Sequence, residues 1–173
     1  MVDTRMAYPK HWFVLVTVVL ESILTYLFLA ALLDPNSILR EFWLAICPLI
    51  GAVIFMLEVP PIFTAHSLTS TGLRLRMGLL VNEEIPFDAI REVKETSTAR
   101  GGLRIGIGVK YIPTTRQLFV TSAFSNLISV QLENAVSIGR LRRHRVEEVI
   151  INVNFPRGFL DSLEPMINRP GEG

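Results

Sequence analysis

Glu21 stands in the middle of an apolar run, residues 12–33, with Thr17 and Thr25 one helical turn to either side. Residues four apart share a helix face, so these polar groups form one stripe, with Ser22 beside it. A carboxyl in that setting can hold a proton or small cation, accept hydrogen bonds from a neighbouring helix, or pair with a base. Left ionised and unpaired at the centre of a bilayer, it would cost about 3 kcal/mol. It must be protonated, paired or wet. A second apolar run, residues 42–59, contains no Lys or Arg to serve as its partner. That run has its own acid, Glu58, just ahead of Pro60 and Pro61, and offers Cys47, Pro48 and Gly51 as small or irregular positions where helices can approach closely. Two carboxylates in one half of a bilayer suit an ion path. An interfacial Glu58 marking the helix end before the prolines, with a neutral Glu21 bonding other helices, is the simpler expectation.

The densest charge is Arg140-Leu141-Arg142-Arg143-His144-Arg145, at an expected hairpin between two late strands. Guanidinium forks fit phosphate and carboxylate oxygens. Arg140, Arg142, Arg143 and Arg145 are therefore candidates for anionic lipid headgroups or an acidic partner, whereas in a solvated turn Glu147 and Glu148 would be their counterions. Each basic side chain near a charged leaflet contributes about 1 kcal/mol, provided it lies within a Debye length of about 10 Å. Residues 100–108 are glycine-rich, but no Lys-Ser/Thr and no strand-to-helix transition follow, so neither a Walker loop nor a dinucleotide fingerprint is present. A flexible turn leading into a strand is expected there. His11, His66 and His144 are scattered and Cys47 is the single cysteine, which points to no metal site, no disulfide and no cofactor. Ser, His and Asp show no triad spacing, so no catalytic residue is assigned and no enzyme is expected. A net charge of +1 gives no global field for nucleic acid.

These residues need elements to hold them. At 1.5 Å per residue the two apolar runs reach roughly 33 Å and 27 Å, enough to cross a bilayer. The first is too long for a signal-peptide core of about 7–15 residues, and Ala30-Ala31-Leu32-Leu33-Asp34 only weakly imitates a cleavage site. Trp12, Phe42 and Trp43 lie at run edges, where amphipathic rings favour headgroups, and Pro35-Asn36 supplies the turn. Arg5 and Lys10 precede the first run, Arg40 alone lies in the connection, and Arg74 and Arg76 follow the second, which places both flanks in the cytoplasm.

After Pro61 the pattern changes to short alternating segments. Residues 66–69, a Ser70-Thr71-Gly72 turn and residues 73–77 form an expected hairpin. Further strands are expected at 90–96, 103–112, 117–121, 127–132, 136–140 and 146–153. A closing helix follows at 156–167, capped by Asn154, with Pro156 in its first turn and an apolar stripe of Phe159, Leu160, Leu163 and Ile167. Residues 1–65 thus form a transmembrane hairpin, 66–168 a mainly-β domain and 169–173 a disordered tail.

Particular stretches go beyond this pattern. They are Leu68-Thr69-Ser70-Thr71-Gly72-Leu73-Arg74-Leu75, then Gly78-Leu79-Leu80, then Ile85-Pro86-Phe87-Asp88-Ala89-Ile90-Arg91-Glu92-Val93. At the end, Val146-Glu147-Glu148-Val149-Ile150-Ile151-Asn152-Val153 runs into Phe155-Pro156-Arg157-Gly158-Phe159-Leu160. The chain resembles prokaryotic membrane-anchored pleckstrin-homology-like proteins over most of residues 65–168. That resemblance implies a two-helix transmembrane hairpin followed by a mainly-β pleckstrin-homology-like barrel closed by a C-terminal helix, and a non-enzymatic module. It does not carry over phosphoinositide binding, because Ser70-Thr71-Gly72 backed by Arg74 and Arg76 is no dense phosphate cradle.

The expected function is an accessory or scaffold protein of the plasma membrane. It would present its domain to another protein in the cytoplasm and touch membrane lipids, another membrane protein or a second copy through its helices. An anionic-lipid sensor using the arginines is the alternative. A further alternative is a subunit of an ion- or proton-translocating oligomer using Glu21.

Overall fold

The structure is a computed structural model that describes residues 4–34, 38–96, 107–138 and 144–167. The chain divides into two compact units, Lys10–Phe63 and Met1–Pro9 with Thr64–Gly173.

The first unit is two helices, α1 (His11–Leu33) and α2 (Arg40–Phe63), packed on each other. With 23 and 24 residues, each is about 35 Å long. Only 6 % of the most apolar window of either helix is buried. A core helix of a soluble protein would have these side chains covered; here they face outward and require lipid or another protein around them. The turn residues 35–37 lie outside the described residues. Helix α2 runs through Pro60 and Pro61 to Phe63 instead of ending before them. Proline's fixed φ is compatible with a helix, and the cost is two missing donors, which leave the Met56 and Leu57 carbonyls without their intrahelical bonds.

The second unit contains two sheets. One is four-stranded, in the order β1 (Thr4–Met6), β2 (His66–Leu68), β3 (Gly72–Met77), β4 (Val81–Pro86). The other takes β5 (Ile90–Thr96), β6 (Gly108–Ile112), β7 (Gln117–Thr121), β8 (Leu127–Ile138) and β9 (His144–Asn152) in the order β5-β8-β9-β7-β6. Strand β3 alternates as its sequence requires: Leu73, Leu75 and Met77 are buried, while Arg74 is half-buried and Arg76 exposed. Gly72 pairs with Pro86, and a Cβ there would stand 2.2 Å from the Ile85 carbonyl oxygen, so no other residue allows β3 and β4 this close. Leu73, Ile85, Phe119, Ile128 and Ile150 are buried in this unit, each contributing about 1.5–3 kcal/mol over its exposed state. Helix α3 (Pro156–Ile167) packs on β5 through its buried Phe159 and Leu163 face.

Several features differ from the sequence expectations. The two sheets are not closed into a barrel; all strands pair antiparallel except β7 with β9, which are parallel. Thr4–Met6, expected as part of the membrane hairpin's flank, is strand β1 and pairs with β2. Residues 127–132 and 136–140, expected as two strands, belong to the single strand β8 as far as Ile138, with a register shift between Gln131 and Val136. Glu133-Asn134-Ala135 resembles a turn, but the ladder absorbs it as a bulge. Helix α3 receives its first bond from Phe159 N–H to the Phe155 carbonyl at 3.0 Å, so Phe155 and not Asn154 occupies the cap position. Asn154 instead donates its backbone N–H to the Ala7 carbonyl at 2.9 Å. Most of the glycine-rich segment and the tail 168–173 lie outside the described residues.

Candidate functional site

Helix α1 brings Glu21 against α2 at Gly51. A Cβ on Gly51 would be 3.2 Å from Glu21 Oε2, so the missing side chain makes room for the carboxyl. Glu21, Leu24, Thr25, Cys47, Pro48 and Gly51 border a cleft of about 480 Å³, whose remaining lining includes Phe28 and Phe55. Two other hydroxyls on α1 bond within the helix: Thr17 Oγ1 donates to the Phe13 carbonyl at 2.7 Å and Ser22 Oγ to the Val18 carbonyl at 2.7 Å. Glu21 Oε1 is buried and has no hydrogen-bond partner among the described residues. Pro48, on the facing helix, cannot donate to the Leu44 carbonyl one turn earlier. The cleft therefore combines an unpaired carboxyl oxygen with a helix wall deficient in donors. It can accept a hydrogen bond or a cation from outside the chain.

Thr25 borders this cleft and also a shallower hollow shared with Glu21 and Ser22. Glu58 is half-buried. Because Glu21 meets α2 at Gly51, Glu58 stands seven residues further along, about 10 Å at the helical rise. The two acids are thus not a pair. Of the arginine candidates, Arg140, Arg142 and Arg143 lie outside the described residues. Arg145 is exposed on β9, opposite Ser137 of β8, and its carbonyl accepts the Tyr111 hydroxyl at 2.9 Å.

A polar cavity of about 550 Å³ in the β unit had no sequence expectation attached to it. Strand pairing sets Gln131, Glu148 and Gln117 in one row across β8, β9 and β7. Glu148 is buried and accepts from Gln117 Nε2 at 2.6 Å and from the Ser129 hydroxyl; Thr115 Oγ1 in turn donates to Gln117 Oε1 at 2.9 Å. Arg91 Nη2 donates to Gln131 Oε1 at 3.1 Å, and Gln131 Nε2 has no acceptor among the described residues. The signal in the sequence is polar residues at inward strand positions, but only the pairing of three distant segments makes them neighbours.

His66 is fully buried at the start of β2, against the ring of Tyr8 at 5.1 Å. Its Nδ1 accepts the Arg76 backbone N–H at 3.2 Å, and burial pushes its pKa down to about 4. It is a neutral core residue near pH 7. Among the described residues no group of three His, Cys, Asp or Glu side chains is placed to hold a metal ion. Comparison of the chain with protein-family models, with curated proteins and with solved structures finds no match.

Proposed function

We propose that this chain is an integral protein of the plasma membrane whose two helices carry a cytoplasmic pleckstrin-homology-like domain, and that it acts as a scaffold or accessory subunit for another membrane protein. The observation that carries the proposal is the unpaired Glu21 carboxyl opposite Gly51. A polar group held in the apolar part of a hairpin, with Thr17 and Ser22 bonded to their own backbone, is suited to a donor on a third helix. The ladder between β1, which precedes the helices, and β2, which follows them, supports a two-crossing topology. Two crossings return the chain to the side it left, and pairing of the two flanks requires that return. Two sheets followed by a C-terminal amphipathic helix support the domain assignment.

An ion path is less well supported, since Glu21 and Glu58 are separated by two helical turns.

The test is the size of the full-length protein purified from native membranes in mild detergent, compared with Glu21→Gln. The wild type should run as a complex that Glu21→Gln reduces to the bare chain, and reconstituted wild type should pass neither protons nor sodium. A wild type already alone, or ion flux that Glu21→Gln abolishes, contradicts the proposal.

A further inference from the structure

Two hydrogen bonds tie the β unit together at the points where the chain enters and leaves the helices. The Asn154 N–H donates to the Ala7 carbonyl at 2.9 Å, and Ala7 is four residues before His11, a reach of at most about 14 Å. The Gly78 N–H donates to Thr64 Oγ1 at 2.9 Å, and Thr64 directly follows Phe63, the last residue of α2. The Tyr8 hydroxyl and Thr64 Oγ1 are 2.8 Å apart and hydrogen-bonded, joining the two points.

Among the described residues of this unit, three exposed large apolar side chains follow directly on those bonds. Phe155, 81 % exposed, follows Asn154; Leu79 and Leu80, 57 % and 42 % exposed, follow Gly78. Phe124, also exposed, lines a hollow with Asn126 and Pro156. Scattered singly, such side chains would be ordinary on a soluble surface. Here they gather where the chain is covalently continuous with two bilayer-length helices. Exposed Arg76 and Arg157 lie two residues from Gly78 and Phe155 respectively, which adds the charge that anionic headgroups attract.

We infer that Leu79, Leu80, Phe124 and Phe155 form a lipid-docking rim, inserted among the headgroups and upper acyl chains of the membrane that α1 and α2 cross. This rests on the assignment of those helices as spans. Aromatic and aliphatic side chains flanked by arginines suit that layer, where the ring or branched chain leaves water and the guanidinium keeps its hydration. The rim would hold the β unit to the membrane at this end.

The experiment uses full-length protein in a Cys47→Ser background with single cysteines Leu79→Cys, Phe155→Cys, Asn134→Cys or Leu20→Cys, each labelled with a small environment-sensitive fluorophore. The protein is reconstituted in vesicles of phosphatidylcholine with a minority of phosphatidylglycerol. Probes at 79 and 155 should be quenched by lipids carrying a nitroxide near the headgroup, and quenched several-fold less by aqueous iodide than the probe at 134. If iodide reaches 79 and 155 as readily as 134 while the probe at 20 is quenched by lipid, the spans stand and the rim is wrong. Probes at 79 and 155 hidden from both quenchers would show a protein covering and also overturn the inference. A probe at 20 that lipid does not quench would remove the span assignment beneath it.

Discussion

Glu21 and Glu148 are both carboxylates held away from water, and they are treated differently by their surroundings. Glu148 accepts bonds from Gln117 and Ser129, and the first of these is itself bonded by Thr115. Glu21 faces a glycine across the helix pair and retains an oxygen with no partner among the described residues. The same contrast extends to apolar residues: Leu73, Leu75 and Leu163 in the β unit are wholly covered, whereas Leu20 and Leu49 in the helices face outward. A buried acid bonded by strands distant in the sequence helps to specify the fold. A helical pair that leaves both its apolar surface and its acid uncovered must be completed by its environment. The β unit supplies donors to its buried acid, and the described part of the hairpin supplies none to Glu21 Oε1.

Removing packing should separate the two regions most strongly. Ile150→Ala empties a fully buried site and should destabilise the β unit by about 2–5 kcal/mol. Leu20→Ala on the outward face of α1 should cost well under that by denaturant titration in the same micelles. Equal losses would mean that the helices are packed like a soluble core.

Acid should act on the β unit through His66. His66 is neutral when folded, with a pKa of about 4 against 6.5 for an ordinary histidine, so below 6.5 the unfolded chain takes up a proton that the folded chain refuses. Stability should be intact above pH 6.5 and fall as the pH drops towards 4, by a total of about 3 kcal/mol. His66→Phe should remove this slope, which unfolding titrations across that range would reveal.

The carboxylates themselves sharpen the comparison. Glu148→Gln turns an amide N–H2 donor towards one of two existing donors, Gln117 Nε2 or Ser129 Oγ, and should cost about 1–3 kcal/mol, read as a shift of the unfolding midpoint. Glu21→Gln should leave the isolated chain's midpoint nearly unchanged and alter only its association. The smallest effect belongs to the exposed cluster in which Thr69 and Thr71 bond Glu84 and hold its carboxyl below the usual range. Thr71→Ala should cost no more than about 1 kcal/mol.

The helices were legible because an unbroken apolar run of bilayer length is rare in chains that stay in water. Strands β5 and β7 and helix α3 were legible because their periodicity is undiluted. Strand β1 was not: three residues carry no period, and their partner lies beyond two helices. Strand β4 was not among the expected strands, because Asn82, Glu83 and Glu84 break its apolar pattern at a sheet edge. The break at Glu133–Ala135 looked like a turn because sequence cannot show that a ladder resumes after a bulge. Glu21 was visible as a lone acid in an apolar run, although the gap at Gly51 that receives it was not. The Gln117–Glu148–Gln131 row was illegible, since its members come from three strands and only parallel pairing of β7 with β9 aligns them.

The most direct measurement is the sidedness of three single cysteines, Arg5→Cys, Leu39→Cys and Asn134→Cys, in a Cys47→Ser chain probed with an impermeant maleimide in sealed vesicles of known orientation. Positions 5 and 134 should react from one face and position 39 only from the other. Reaction of 39 from the same face as 5, or of 5 and 134 from opposite faces, would contradict two helices crossing the bilayer with the β unit assembled from both of their flanks.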